Sequence, residues 1–231
     1  PSMKLRRTLA LAGALAALSL IYAASALAAP TSVSVRVEGL KHTLLPAKTV
    51  RAPSRGSITK GGTPAGICRA TTAAGALDTA THHDWNGSYS SGLGVDIGTI
   101  LGQTLSFKHG YYWSVWVDNR YAPAGVCDLK LHKGEQLLFA PYPAKGKVFP
   151  IVVTAPKRAT AGKSFRVRAS YFSAPGARTK PVAGVSFTGA RGRTNAQGVA
   201  TLRAAKPGRL RLVGSRTGFI RSAAQTVTVA R

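Results

Sequence analysis

The stretch Tyr111-Tyr112-Trp113-Ser114-Val115-Trp116-Val117-Asp118-Asn119 decides the fold class. Trp113, Val115 and Val117 fall on one side of it, and Tyr112, Ser114 and Trp116 on the other. Successive side chains of extended chain point to opposite faces, so this two-residue period in aromatic and β-branched residues predicts a strand. Asp118-Asn119 has turn chemistry, and Arg120–Ala122 returns. Upstream, Thr31–Glu38 repeats the pattern, with Val33, Val35 and Val37 set against Ser34, Arg36 and Glu38. Between the two strands, residues 70–82 place Ala76, Leu77 and Ala80 at helical spacing and predict one short helix. Downstream, Leu129 and Leu131 alternate with Lys130 and His132, Lys133-Gly134 turns, and Gln136–Phe139 forms a further strand. The Gly/Pro/Lys-rich stretch up to Gly66, the polar run Asp84–Ser91 and the glycine run Gly92–Gly98 read as loops.

Beyond a cluster of Pro141, Pro143, Gly146 and Pro150 the pattern becomes wholly β. Ser164–Ser173 alternates Phe165, Val167, Ala169 and Tyr171 with Arg166, Arg168 and Ser170. Val182–Thr188, Val199–Arg203, Arg209–Val213 and Thr226–Ala230 read as strands, separated by turns at Asn195–Gly198 and Lys206–Gly208. Short strands divided by turn residues at this spacing suggest a sandwich. The expected organisation is therefore a first domain at 29–143, a linker at 144–149 with exposed Lys145 and Lys147, and a second domain at 150–231.

Charge divides at the same place. The chain has 231 residues, 32 of them basic and 7 acidic, for a formal charge of +25. All the acidic residues (Glu38, Asp78, Asp84, Asp96, Asp118, Asp128, Glu135) precede the linker. Residues 146–231 contain 17 basic residues and none acidic. A balance of this kind bears on partners and solubility, not on fold. It predicts an anionic partner, or else a solvated surface with no functional consequence.

The N-terminus has the grammar of an export signal. Lys4, Arg6 and Arg7 precede an uncharged Leu/Ala-rich run from Leu9 to Ala24, and Ala26-Leu27-Ala28 places small residues where a signal peptidase reads. Residues 1–28 are thus expected to be a signal peptide and the product secreted or held in the cell envelope. The alternative, a retained anchor, needs about 20 strongly apolar residues, and this run is Ala-rich. No transmembrane helix is expected after cleavage. Cys68 and Cys127 are the only cysteines, and an even count in an exported chain predicts a disulfide; two free thiols are the alternative.

Chemistry is sparse. His82-His83-Asp84 is the one dense polar cluster, but adjacent helical side chains diverge by about 100°, so a helix C-terminus is preferred to a metal site. There is no G-x-S-x-G, no Rossmann glycine spacing and no defensible carboxylate pair. A non-enzyme without cofactor or metal is expected. The candidate ligand-binding residues are Trp85, Tyr89, Tyr112 and Trp116, on the ground that exposed aromatics stack on flat ligands; the alternative is that they are core. The candidate polyanion-binding residues are Arg166, Arg168, Arg191, Arg193, Arg209 and Arg211, which alternation places opposite apolar faces or beside turns. No base-reading motif is present, so sequence-specific nucleic-acid recognition is not expected.

Two resemblances extend this reading. Tyr112–Asn119, Tyr121-Ala122, Gly125-Val126-Cys127-Asp128, Lys133-Gly134-Glu135 and Leu138-Phe139, with the Val33-x-Val35-x-Val37 opening and Gly75-Ala76-Leu77-Asp78, resemble the DUF4430 family. That family is similar to the C-terminal β-domain of transcobalamin. The resemblance implies a small β-grasp-like α+β domain with one helix. It does not carry cobalamin binding across, because the large helical barrel that completes such a corrinoid site has no counterpart in this sequence. Pro181–Val185, Thr194–Ala200 and Pro207–Leu210 resemble bacterial immunoglobulin-like domains of exported proteins. That resemblance implies a β-sandwich spacer or adhesion module. The expected function is an exported or cell-envelope binding module whose basic second domain meets anionic envelope polymers or acidic glycans. The alternative is a structural adhesion or matrix protein with no small-molecule site.

Overall fold

The computed structural model describes residues 30–92 and 94–231; the expected signal peptide and its cleavage site lie outside the described residues. The first half contains β1 (Thr31–Glu38), β2 (Thr43–Ala52), α1 (Ala73–Ala80), β3 (Trp85–Ser90), β4 (Gly94–Ile100), β5 (Gln103–Thr104), β6 (Tyr111–Val117), β7 (Arg120–Tyr121) and β8 (Gln136–Pro143). Five of these strands form one sheet in the order β2-β1-β8-β6-β7. Its central pair, β1 and β8, is parallel; the other neighbours are antiparallel. A second sheet has the order β3-β4-β5.

The alternation read in β1 and β6 has a direct structural outcome. Val33, Val35, Val37, Trp113, Val115, Leu137 and Phe139 enter a common core with Leu77 and the alanines of α1. Full burial of such a side chain contributes about 1.5–3 kcal/mol. The helix lies close to the chain before it: a Cβ on Gly75 would run into the Ala70 carbonyl, so only glycine fits. Its N-terminal amides are satisfied from a distance, Ala73 by the Leu129 carbonyl at 3.0 Å and Ala74 by that of Val126 at 3.0 Å. Cys68 and Cys127 are joined in a disulfide with a sequence separation of 59, which ties the segment before the helix to the one that caps it.

The second half contains β9 (Val152–Thr154), β10 (Arg158–Thr160), β11 (Ser164–Phe172), β12 (Thr179–Pro181), β13 (Ser186–Phe187), β14 (Ala190–Arg193), β15 (Val199–Arg203), β16 (Gly208–Leu212), β17 (Gly214–Ser215) and β18 (Gln225–Ala230). They make sheets of order β12-β11-β15, with β9 also on β11, then β10-β18-β16 and β14-β13-β17. Phe165, Val167, Leu202, Phe187, Leu212, Val227 and Val229 from all three sheets share one core, with Val185 beside them. The described chain is mainly β.

Several loops expected from the sequence are strands. β2 lies in the Gly/Pro/Lys-rich stretch; it is a sheet edge, where Pro46 and charged residues are tolerated because one backbone side needs no partner. β3 and β4 occupy the polar and glycine runs, and Val95, Ile97 and Ile100 are buried on β4 although interspersed glycines blur the pattern. Conversely, Leu129 and Leu131 do not form a strand. Their segment gives its carbonyls to the helix and makes only an isolated bridge, Thr72 to Lys130. The expected strand Val182–Thr188 is reduced to Ser186–Phe187, because Gly184 takes a left-handed φ of 70°.

Part of the outer face of the five-stranded sheet is covered by the second half. Trp116, Leu138 and Ala140 pack against Ile220, with Tyr142 and Val148 alongside. At the neighbouring strand, Glu38 is 1% exposed and accepts hydrogen bonds from Arg36 Nη1 at 2.7 Å, Arg221 Nε at 2.9 Å and the Thr43 hydroxyl at 3.0 Å. Arg221 also donates to the Gly39 carbonyl at 2.6 Å, and its own carbonyl accepts from Arg36 at 2.8 Å. Arg120 adds a cation–π contact, its guanidinium 3.9 Å from the Phe172 ring centre. The halves therefore meet through a buried charge cluster flanked by apolar contact, while Lys145 and Lys147 between them are exposed.

Breaking a buried ion pair by removing one partner costs about 3–5 kcal/mol, because an uncompensated charge stays behind. At about 2–4 °C per kcal/mol for a chain of this size, Glu38→Gln is expected to lower Tm by roughly 10 °C. An unchanged Tm by calorimetry would show that the cluster does not hold the halves together. The disulfide closes a long loop and is expected to stabilise the fold by about 4 kcal/mol. Alkylation of the natively produced protein without reductant should leave both cysteines unlabelled, and reduction should shift the denaturant midpoint down.

Candidate functional site

The six candidate arginines do not converge on one spot. On β11, exposed Arg166 and Arg168 alternate with buried Phe165 and Val167, so they project from the outer face of that sheet. Arg203 lies on the adjacent β15, where Ser164 pairs with Arg203 and Arg166 with Thr201. On β16, Arg209 and Arg211 are exposed and flank the half-buried Leu210. Register places Arg209 and Arg158 either side of Thr228, so this second face carries arginines on both strands that flank β18. Arg191 lines a depression of about 710 Å³ with Arg203. Arg193 lies at a different opening, between the two halves.

On β11 and β16 the reason for the outward placement is period two itself: with the intervening positions turned toward the core, these arginines face solvent. None of these six residues has an ion-pair partner among the described residues. Two basic faces on different sheets are thus free to engage an extended anion, and neither forms an enclosed pocket.

The aromatic candidates divide. Trp116 is 1% exposed beneath Ile220, and Trp85 is 3% exposed, its Nε1 donating to Asp78 Oδ1 at 2.8 Å. Neither presents a stacking face, because the second half covers Trp116 and the first core takes in Trp85. Tyr89 is half-buried against the first core. Tyr112 belongs to a ring cluster on the outer sheet face: its centroid is 5.4 Å from Tyr142 and 6.2 Å from Phe107, and Tyr142 is 5.3 Å from Tyr121. Phe107 is 67% exposed and Tyr121 37%, so the accessible part of this cluster is carried by residues that alternation did not single out. Their exposure follows from a 3-10 turn and a two-residue strand, neither of which has a periodic signal.

His83 hydrogen-bonds Asp78 through Nδ1 at 2.6 Å, and both His82 and His83 take left-handed φ angles just past α1. The carboxylate is held in turn by Trp85 and lies 3.7 Å from Lys60 Nζ. This is a helix C-terminal arrangement. Among the described residues no group of three or more His, Cys, Asp or Glu is placed to hold a metal. No helix among them is long and apolar enough to cross a membrane.

An open cleft of about 990 Å³ lies between the halves. Lys147, Arg193, Arg216 and Arg221 supply its charge, and Tyr111 and Phe219 its aromatic surface. Among the described residues no carboxylate lines it. The linker, the β14 arginine and the 215–221 loop are far apart in sequence, so the sequence offered no signal for this cleft beyond the excess of positive charge.

Burial against the surrounding rings pushes the Tyr112 phenol up to about 12, helped by the charge and hydrogen bonding of Tyr121. A phenol raised in the folded state keeps its stabilising effect below its ordinary value of 10.0 and loses it as pH rises through about 12. An alkaline absorbance titration should show a late phase that Tyr112→Phe removes and Tyr121→Phe moves earlier. Coincident titration in all three proteins would contradict this.

Comparison with known protein families, with curated proteins and with solved structures found no match for this chain.

Proposed function

We propose that this chain is an exported or cell-envelope binding module, without catalytic activity, whose basic second half holds it on anionic envelope polymers or acidic glycans. The observation that carries the reading is the regular exposure of Arg166, Arg168, Arg209 and Arg211 on two sheet faces, in a segment with no acidic residue of its own. Arginine forks onto phosphate and carboxylate, and its charge does not titrate away at any physiological pH. The disulfide is compatible with an oxidising, extracytoplasmic location.

We read the first half as a β-grasp-like, DUF4430-type domain. Support comes from the order β2-β1-β8-β6-β7 with a parallel central pair and one helix packed across it. The second half is read as an immunoglobulin-like sandwich. Support comes from the division of its first strands between sheets, β9 antiparallel to β11 and β10 parallel to β18. A second reading, a structural adhesion or matrix protein with no small-molecule site, is favoured by the burial of Trp85 and Trp116.

The test uses the full chain on heparin and on immobilised polyphosphate across a salt gradient. Binding through counterion release falls linearly in log affinity with log salt, and each phosphate-contacting arginine adds about one unit to the slope. Replacing Arg166, Arg168, Arg209 and Arg211 by Ser should bring elution to markedly lower salt and flatten that slope. Elution of this variant with the parent protein would reject the basic faces as the binding surface.

A further inference from the structure

We infer that the cleft between the two halves is a binding site for an acidic saccharide, a short run of carboxylated sugar units, distinct from the outer basic faces. Its volume of about 990 Å³ is at the upper end of the roughly 300–1,000 Å³ of small-molecule sites, so it has room for an oligomer rather than a single ring. The cleft is open, as a site for a segment of a longer chain must be.

The walls combine three chemistries that such a ligand needs together. First is charge. Arg193 and Arg216 are exposed and, with Lys147, have no ion-pair partner among the described residues. Arg221 stands at the same cleft but is immobilised by Glu38 and the Gly39 carbonyl, so it adds fixed positive potential rather than a free fork. Second is a polar row. Register aligns Arg193 with Ser186 and Ser186 with Ser215 across β14, β13 and β17, and the two serine hydroxyl oxygens are 3.3 Å apart. This places a guanidinium and two hydroxyls in line, a match for the alternating carboxylate and hydroxyl groups along an acidic sugar chain. Third are flat apolar surfaces. The Arg216 guanidinium lies 5.4 Å from the Phe219 ring centre on one side, and Tyr111 pairs with Pro143 on the other. A pyranose has an apolar face of C–H groups that packs on such surfaces; a bare phosphate polymer has none.

The outer arginine faces have the charge without the row or the rings, which is why the two sites are expected to differ in selectivity. The cleft should distinguish a carboxylated sugar from a phosphate chain of equal charge, whereas the faces should not.

The probes are tetragalacturonate, maltotetraose and polyphosphate of charge matched to the first, each titrated calorimetrically into the full chain at moderate salt. Tetragalacturonate is expected to bind, and maltotetraose to bind far more weakly or not at all. Arg193→Ala and Arg216→Ala lie on exposed positions and should each weaken tetragalacturonate by about tenfold, the loss of one charge-assisted fork. Phe219→Ala should weaken tetragalacturonate while leaving polyphosphate unchanged, and circular dichroism should report an intact fold for each variant. The variant lacking Arg166, Arg168, Arg209 and Arg211 should keep its tetragalacturonate affinity even where it no longer holds heparin, so failure at the faces and failure at the cleft are separable. No tetragalacturonate binding by the parent chain, equal binding of maltotetraose, or binding indifferent to both Arg193→Ala and Arg216→Ala would overturn the inference.

Discussion

The Glu38 carboxylate is almost wholly removed from solvent, yet it is surrounded by donors from three places in the chain: Arg36 two residues earlier, Thr43 on the next strand and Arg221 in the other half. A lone buried carboxylate would be strongly disfavoured, so its position is tenable only while those donors are present. Arg36 is as dependent on Glu38 as Glu38 is on it. Burial pushes its guanidinium below its ordinary value, and the neighbouring carboxylate acts in the opposite direction. The cluster therefore demands that the 220–221 loop sit against the end of β1. Once it does, Ile220 lies over Trp116, Leu138 and Ala140, and that part of the outer sheet face is buried.

The same constraint shapes the cleft. Arg221 belongs both to the cluster and to the cleft wall, and Ile220 and Val148 line the cleft as well as the apolar contact. Rotation of one half against the other would have to break the Glu38 hydrogen bonds and open the contact at Trp116 together. The opening between the halves is thus defined by packing, in contrast to the variable gap expected of two units joined only by a flexible linker.

The distribution of acids gives the electrostatics its direction. In the first half Asp78 and Glu135 are taken up by local partners, Lys60, His83 and His132. Glu38 is the one carboxylate that forms an ion pair with an arginine of the second half among the described residues. The remaining arginines of that half have no acid to meet, and strand alternation turns those of β11 and β16 outward. Their field is screened within about 8–10 Å at physiological salt, so each face acts on what touches it rather than at long range.

How much was legible in the sequence follows from the range of the physics involved. Two-residue alternation is a local property of extended chain, and it placed β1, β6, β11, β15 and β18 within a residue or two of their ends and assigned the buried face of β11 correctly, whereas on β1 and β6 the second half also buries Arg36, Glu38 and Trp116 on the opposite face. The helix within 70–82 and the Cys68–Cys127 pair were likewise accessible, the first from spacing and the second from count. β2, β3 and β4 were hidden, because an edge strand and glycine-interrupted strands are stabilised by their neighbours rather than by their own pattern. Tertiary structure alone decided that Trp116 is core, that Phe107, Tyr111 and Tyr121 are exposed rings, and that Arg193 and Arg216 share a cleft with Tyr111. Each of those depends on where the second half docks on the first sheet. That docking rests on a contact between residues separated by 183 positions, a distance at which no local pattern carries information.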